Sequence, residues 1–499
     1  MTNTIFPATL LCDFYKVNHR EQYPDNTQYI YSTFTPRSNK YFPITDEVVV
    51  FGIQSFVKKY LIEYFNKHFF SRDKGEVVAE YERLVRYALG VEKPYSKHIE
   101  ELHDLGYLPI RLKALKEGTL APIQTPVLTV ENTNPKFFWL TNYLETLIST
   151  ELWQPMTSAT IAKEYRKILD EYAIKTSGHT EGVDYQAHDF SMRGMSSLES
   201  AVASSAGHMT SFVGCETIPA IFYLENYYNA NVEKEIVGTG IPATEHSVMC
   251  ANADADIRDE FDSFKRLITE VYPNGFVSIV SDTYDFWKVI GEVLPKLKSD
   301  IMNRDGRVVI RPDSGDPVKI IVGDPEANTE LERKGLIEAL WDIFGGAVNE
   351  LGYKVLDPHI GAIYGDSITL ERAEQILKGL EEKGFASNNI VLGVGSYSYQ
   401  YNTRDTFGFA MKATYAVVDG EERMLFKDPK TDQGKRSQRG RVVVSDDMGN
   451  IPITTTDGLD LEGEGMVSGA VGNLLETVFE DGVLKREQTL AEIREIING

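Results

Sequence analysis

A chain of 499 residues, 42% apolar and 25% charged, has a globular composition that excludes disorder, collagen and fibre, and at roughly 150 residues per domain it makes two to four units or two large ones. The 51 Lys and Arg against 74 Asp and Glu leave a net charge of −23, which excludes nucleic acid or an anionic membrane as a broad-surface partner but not anionic substrates where cations gather. Three cysteines are too few for a disulfide framework or a structural zinc site and fit a reducing compartment.

The N-terminus, MTNTIFPATLLCDFYKV, has no basic region before an apolar core, so no signal peptide is expected. No apolar run is long enough to span a bilayer, and a soluble, cytoplasmic enzyme is expected. VVVFGIQ (48–54) and PIRLKAL (109–115) read as strands, the second with Ile110, Leu112 and Ala114 alternating with Arg111 and Lys113. Residues 76–89 and 157–175 read as amphipathic helices, the latter with Ile161, Tyr165, Ile168, Leu169 and Tyr172 on one face.

From 276 to 396 a rhythm sets in. GFVSIVSD (275–282), RVVIRPDSGD (307–316), HIGAIYGD (359–366) and NIVLGVGS (389–396) are short apolar runs, each ending in Gly, Asp or Ser. Helical segments lie between them at 284–298, 329–351 and 369–383, the last with Thr369 as N-cap and Gly384 as the residue after the C-cap. Strand–helix alternation implies parallel strands buried on both faces. Beyond 400, TYAVVDGEERMLFKD and GRVVVSDDMGN read as strands joined by polar turns, and LAEIREII as a closing helix. The expected class is therefore α/β. An irregular βα barrel, residues 156–399, is carried with a composite α+β domain built from 1–155 and 400–499.

In βα barrels the chemistry lies at the C-terminal strand ends and the loops after them. The rhythm puts Asp282, Arg311, Asp313, Gly365, Asp366, Gly393, Gly395 and Ser396 there. Arg311 and Asp313, two apart, set a cation and an anion on one rim, which suits an anionic ligand that carries Mg²⁺. Between 427 and 441, Lys427, Lys430, Lys435, Arg436, Arg439 and Arg441 face only Asp428 and Asp432, a phosphate collector in an acidic chain. In PATEHSVM, His246 offers a nucleophile or acid–base group. In HDFSMRGMSS, Phe190 offers an aromatic face and Arg193 a phosphate clamp. The segments GxxxxGK[ST], GxGxxG, HExxH and GxSxG are absent. VVVSDDMGNIPITT resembles a diphosphate-ribose loop of Rossmann-like phosphoribosyltransferases, but Gly449, Asn450 and Pro452 announce a turn into another strand rather than the helix such a loop needs.

Nine segments in order carry a wider resemblance: LLCDFYKVNHREQYP (10–24), ENTNPKFFWLTNYLET (131–146), HDFSMRGMSS (188–197), PATEHS (242–247), VSDTYD (280–285), IRPDSGDP (310–317), GDSITL (365–370), TRD (403–405) and FKDP…GKRSQRGR (426–441). Through them the chain resembles the nicotinate/nicotinamide phosphoribosyltransferase family of type II phosphoribosyltransferases, on its nicotinamide side. The resemblance implies transfer of a phosphoribosyl group from 5-phosphoribosyl 1-diphosphate to nicotinamide, giving nicotinamide mononucleotide and diphosphate in NAD salvage. It also implies Mg²⁺, coupled ATP hydrolysis and a homodimer with shared active sites. Phe190 and the partner subunit's Tyr15 would sandwich the pyridine, with Asp13 of the partner subunit nearby. Arg193 and Arg311 would hold diphosphate and place the substrates, and Asp313, Gly365, Asp366 and Arg404 the ribose and 5′-phosphate. Lys412, Lys427 and Lys435 match lysines around phosphates and nucleotide. His246 matches the histidine phosphorylated by ATP, with Asp282 beside it; Asp282 and Asp313 are the implied metal ligands.

Two positions depart from the family pattern. Glu216 stands where the nicotinamide enzymes carry Asp for the carboxamide N–H; its charge still favours the neutral amide over nicotinate. In GVGSYS (393–398), Ser396 and Tyr397 replace glycines, so Ser396 is expected to offer a hydroxyl where a backbone would approach phosphate. The competing readings are a nicotinate phosphoribosyltransferase and, more distantly, a barrel glycoside hydrolase, which shares paired carboxylates at strand ends but needs no cationic cluster.

Overall fold

The structure, a computed structural model, describes residues 6–252, 259–365, 367–426, 438–447, 450–457 and 473–498. The chain forms two compact units: Met1–Thr160 with Tyr223–Ala230 and Asn402–Gly499, and Ile161–Phe222 with Asn231–Tyr401.

In the first unit the two ends of the chain share one antiparallel sheet. Its strand order is Glu421–Met424, Ala410–Val418, Thr27–Thr35, Leu128–Asn132, Ile110–Ala114, Glu476–Glu480 and Val483–Leu484. Ile110, Leu112 and Ala114 of Ile110–Ala114 are buried as predicted, but Lys113 is buried with them, and only Arg111 of the alternating pair is partly exposed, reaching Glu131 at 3.0 Å and Glu480 at 2.8 Å. Asp419 and Gly420, both at positive φ, make the tight turn into Glu421–Met424, as a two-residue hairpin requires. The predicted strand at 48–54 is shorter. It spans Glu47–Val49, and Gly52 (φ 97°) turns the chain into the helix Ile53–Phe56, where a side chain would come within 2.7 Å of Pro155 Cγ. Helix Lys74–Leu89 starts on Asp73, whose carboxylate accepts from the Glu76 amide. The helix expected at 157–175 is the latter part of a 33-residue helix, Glu145–Ser177, that continues through Pro155.

The second unit is built on six parallel strands in the order Gly214–Cys215, Ala187–Asp189, Ile390–Val394, Ile360–Tyr364, Val308–Arg311, Val277–Val280. Each of the four predicted apolar runs supplies one of them. Residues 239–244 join the outer two. The Cys215 amide donates to the Thr239 carbonyl (3.0 Å), and Ser278 and Thr244 exchange bonds across the other edge, Ser278 to the Pro242 carbonyl (2.8 Å) and Thr244 to the Ser278 carbonyl (3.0 Å). That irregular stave turns an open sheet into a barrel. Helices Glu330–Phe344 and Leu370–Glu382 bury Leu336, Ile337, Leu340, Ile376 and Leu377. Thr369 caps the second helix by accepting from the Arg372 amide, and Gly384 (φ 75°) ends it, as expected. The helix expected to reach 351 stops at Phe344. Gly345 and Gly346 take positive φ and lead into the hairpin Gly346–Val348 with Lys354–Leu356, where a Cβ at 346 would meet the Val355 carbonyl at 2.0 Å. Near the C-terminus, Val442–Asp447 pairs with Asn450–Asp457, a strand where a phosphate-loop helix would have stood, and Leu490–Asn498 closes the chain. Among the described residues no helix is long and apolar enough to cross a membrane.

Candidate active site

The parallel strands point their C-terminal ends at one rim, and a cavity of about 460 Å³ runs inward from it, a volume in the range of small-molecule sites. Phe190, Glu216, Arg311, His188 and Gly240 are among its lining residues. Backbone bonds set the first two: the Phe190 amide donates to the Val394 carbonyl (2.9 Å) and the Glu216 amide to the Asp189 carbonyl (3.0 Å), so each continues its own strand along a neighbour. His188 Nε2 lies 2.8 Å from Glu216 Oε1 and holds that carboxyl below the usual carboxylate range, with Arg311 adding to the effect. The His188 and Phe190 rings stand 4.7 Å apart. Arg311 donates through Nη2 to the Thr244 carbonyl (2.7 Å), while its buried Nε has no protein partner among the described residues. A buried donor of that kind is left for a ligand or water. The pocket thus presents an aromatic ring, a carboxylate and a guanidinium.

A second group forms around Asp282, whose side chain is only 4% exposed. Its Oδ1 lies 3.1 Å from His246 Nε2; its Oδ2 accepts from the Asp313 amide (3.1 Å) and the Ser314 hydroxyl. One carboxylate therefore fixes a histidine and the loop after Arg311 together. His246 begins the helix His246–Asn252 and is about half exposed, so its ring remains reachable. Gly365 packs directly on Asp313: a Cβ there would lie 2.3 Å from Asp313 Oδ1. Among the described residues no group of three His, Cys, Asp or Glu side chains could hold a metal alone. With Asp282 engaged through both oxygens, the set fits an ion carried mainly by substrate phosphates, with Asp313 as the protein carboxylate, which is how Mg²⁺ is usually held.

Arg193 is exposed on the turn Met192–Gly194. Ser396 opens the helix Ser396–Gln400 against that turn, so close that a Cβ on Gly194 would sit 2.0 Å from its hydroxyl. The Ser196 amide donates to Gln400 Oε1 (2.7 Å), tying turn and helix a second time. The Ser396 side chain, at a position where the resemblance implies glycine, is thus accommodated by a glycine at 194.

The remaining candidates belong to the first unit. Asp13 accepts from the Thr146 hydroxyl (2.8 Å), and Tyr15 is 59% exposed, its ring edge-on to His19 at 4.9 Å. Lys412 is half-buried and 3.8 Å from Glu145, which also pairs with the buried Lys16. Burial lowers the Lys412 pKa, and Arg37, Lys16 and Arg404 push it the same way against Glu145. The cations Lys16, Arg37, Arg404 and Lys412 thus outnumber the carboxylates beside them, Glu145 and Asp405. Asp366, Lys427 and Lys435 lie outside the described residues.

Sequence reasoning missed Arg37, whose Nε donates to the Gly408 carbonyl (3.0 Å), and His188. His188 had a signal: two residues before Phe190 on a strand, it shares Phe190's face. Arg37, more than 360 residues from Arg404 and Lys412 in the chain, had none.

Fold and rim define a βα-barrel protein with a small-molecule cavity beside charged groups suited to phosphate. Residues 185–482 match the nicotinate phosphoribosyltransferase family, and residues 8–111 match the nicotinamide phosphoribosyltransferase N-terminal domain. The chain is 50% identical to the nicotinamide phosphoribosyltransferase of Acinetobacter baylyi over 495 residues, covering 97% of this chain and 95% of that one. It is 33% identical to the nicotinamide phosphoribosyltransferase of Xanthomonas campestris pv. campestris, covering 97% and 96%. The crystal structure of human nicotinic acid phosphoribosyltransferase superimposes with a TM-score of 0.57 at 15% identity, covering 98% and 93%, a likeness of fold alone. The chain belongs to the nicotinate phosphoribosyltransferase family.

Proposed function

We propose that the chain transfers the phosphoribosyl group of 5-phosphoribosyl 1-diphosphate to nicotinamide, giving nicotinamide mononucleotide and diphosphate in NAD salvage. The observation that carries this is the pocket pairing of Glu216 with Arg311 beside Phe190: a carboxylate for the amide N–H and a guanidinium alongside it, under an aromatic face. The pyridine nitrogen's lone pair forms a bond to ribose C1 as the C1–O bond breaks, and that electron pair leaves on diphosphate. Little covalent help is needed, so position and charge dominate. Arg193 and Arg311 take the diphosphate; Asp313, Gly365, Asp366 and Ser396 seat the ribose phosphate. Asp313 would hold Mg²⁺, which would supply charge neutralisation on the leaving group. Arg404, Lys412, Lys427, Lys435 and, by its place in the cation cluster, Arg37 bind phosphate. ATP couples through His246. Because its Nε2 faces Asp282, Nδ1 is the nitrogen free to take the γ-phosphoryl group, with ADP leaving.

A mass-spectrometric product assay with nicotinamide, nicotinate and quinolinate, with and without ATP, tests the reaction. Nicotinamide mononucleotide is the expected product, and preference for nicotinate would refute the reading. Glu216→Gln should raise the nicotinamide KM about 10-fold or more, the worth of a hydrogen bond to a charged group, while leaving the KM of the sugar diphosphate unchanged.

The working form in this reading is a homodimer in the cytoplasm, in which Tyr15 and Asp13 of the partner subunit complete each pocket; the exposed Tyr15 and Phe14 side chains support it. Tyr15→Ala and Phe190→Ala should each be inactive alone. Mixed and re-equilibrated, they form hybrid dimers with one intact site, and about a quarter of wild-type activity should return. No recovery in a sample shown to contain hybrids would refute sharing.

A further inference from the structure

We propose that His188 is a specificity-positioning residue: it anchors one oxygen of the Glu216 carboxylate and leaves the other for the carboxamide N–H of the pyridine substrate. This rests on Glu216 selecting the amide.

The geometry is specific. His188 Nε2 stands 2.8 Å from Oε1, not Oε2. The same Oε1 is walled on another side by Gly240, where a Cβ would come within 3.2 Å. Oε1 is therefore enclosed, while the Glu216 side chain as a whole remains 44% exposed. The ring that does the anchoring is itself confined. A Cβ on Gly214 would lie 2.7 Å from His188 Nδ1, and Phe190 stands 4.7 Å away on a tilted plane. Two glycines thus clear the space in which imidazole and carboxylate meet, and Phe190 connects that pair to the ring-stacking face.

The chemistry explains why a longer acid works here. A glutamate has one more rotatable bond than an aspartate, and an unanchored one would spread its charge over several rotamers. A bond to His188 removes that freedom before substrate arrives, so the amide meets a carboxylate already aimed. The charge environment stays consistent with a neutral substrate. Asp189, buried one residue on, is satisfied by the Ser191 amide (2.8 Å) and Ser205 hydroxyl (2.6 Å), and His208 by Tyr399 (2.7 Å) and the Gly214 carbonyl (3.0 Å). Neither competes for Glu216, which leaves His188 as its anchor and Arg311 as its more distant counter-charge.

Steady-state kinetics of the full-length enzyme test this. His188→Ala should raise the nicotinamide KM about 10-fold, the loss of one charge-assisted hydrogen bond, with kcat within about 3-fold and the sugar diphosphate KM unchanged. His188→Gln, whose amide N–H can occupy the place of Nε2, should recover most of the loss. Combined with Glu216→Gln, His188→Ala should add little, because both remove one interaction. If Glu216→Gln leaves nicotinamide use intact, the amide-selection reading fails. If Glu216→Gln raises the KM and His188→Ala does not, or if His188→Ala lowers kcat and raises both KM values alike without rescue by Gln, the anchoring role alone is refuted.

Discussion

Replacing Gly365 with alanine is expected to lower kcat/KM at least about 100-fold while the protein stays folded, because sub-ångström placement of reacting groups governs rates of this size. Gly365 does not take a positive φ, so alanine meets no backbone strain there. The effect is purely one of space. Its new methyl would lie 2.3 Å from Asp313 Oδ1, 3.2 Å from Asp313 Cγ and 3.4 Å from Arg311 Cδ. Carbon and oxygen do not approach to 2.3 Å, so the carboxylate has to move, and Asp313 is tethered through its amide to Asp282 and cannot follow freely. Gly365 is tethered too, its amide donating to the Pro312 carbonyl at 3.1 Å. Local overpacking of this kind costs about 1–3 kcal/mol, which a barrel of this size survives. Steady-state rates with a melting curve separate the two effects: a large loss in kcat/KM with a shift in Tm of a few degrees is expected. Near-wild-type rates would show that Asp313 does not need its present place.

The difference between legible and illegible parts of this molecule has a physical cause. Strands buried on both faces read as unbroken apolar runs, and turns after them collect Gly and Asp, so Val277–Val280, Val308–Arg311, Ile360–Tyr364 and Ile390–Val394 announce themselves. Thr369 and Gly384 are equally local, each set by one turn of helix. The barrel's closure is not. Residues 239–244 form no regular strand and bond to their two neighbours near opposite ends, leaving no periodicity to detect. Gly214–Cys215 is two residues long, too short for any pattern, yet it carries Glu216. The helix expected at 157–175 starts at Glu145 and runs through Pro155, although proline lacks the amide that an interior position donates.

The site divides in the same way. Strand-end position placed Asp282, Arg311 and Asp313 on one rim from sequence rhythm alone. That a single carboxylate would bond His246, 36 residues before it, and the 313–314 loop, 31 and 32 residues after it, follows from the parallel neighbours Val277–Val280 and Val308–Arg311 and from the stave at 239–244. Nothing in a one-dimensional pattern encodes that meeting. Family resemblance carried Glu216 by position, and the strand period puts His188 on the face of Phe190, but the pairing of His188 with Glu216 emerges only when two adjacent strands are seen side by side.

The Asp282 arrangement leads to the second large effect. Asp282→Asn should cut phosphoenzyme formation and the ATPase about 10³-fold or more, by the reasoning that makes a buried carboxylate set the tautomer of a catalytic histidine. A carboxylate only accepts, so with Oδ1 3.1 Å from Nε2 it places the imidazole proton on Nε2 and leaves the Nδ1 lone pair to attack phosphorus. In the asparagine variant one oxygen still serves the Asp313 amide and Ser314 hydroxyl, which turns the NH₂ toward Nε2. Nε2 then becomes the acceptor, the ring proton moves to Nδ1, and the nucleophile is blocked. The loop after Arg311 keeps its anchor, so transfer without ATP should fall less than about 10-fold, a loss of one positioning refinement rather than of the site. Asp282→Ala removes the anchor as well, and both activities should drop. Phosphoenzyme trapped with labelled ATP, and nicotinamide mononucleotide measured with and without ATP, read the two quantities separately. Full phosphorylation of Asp282→Asn would show that this carboxylate does not direct His246, and equal losses in Asp282→Asn and Asp282→Ala would show that its grip on the 313–314 loop has no part in transfer.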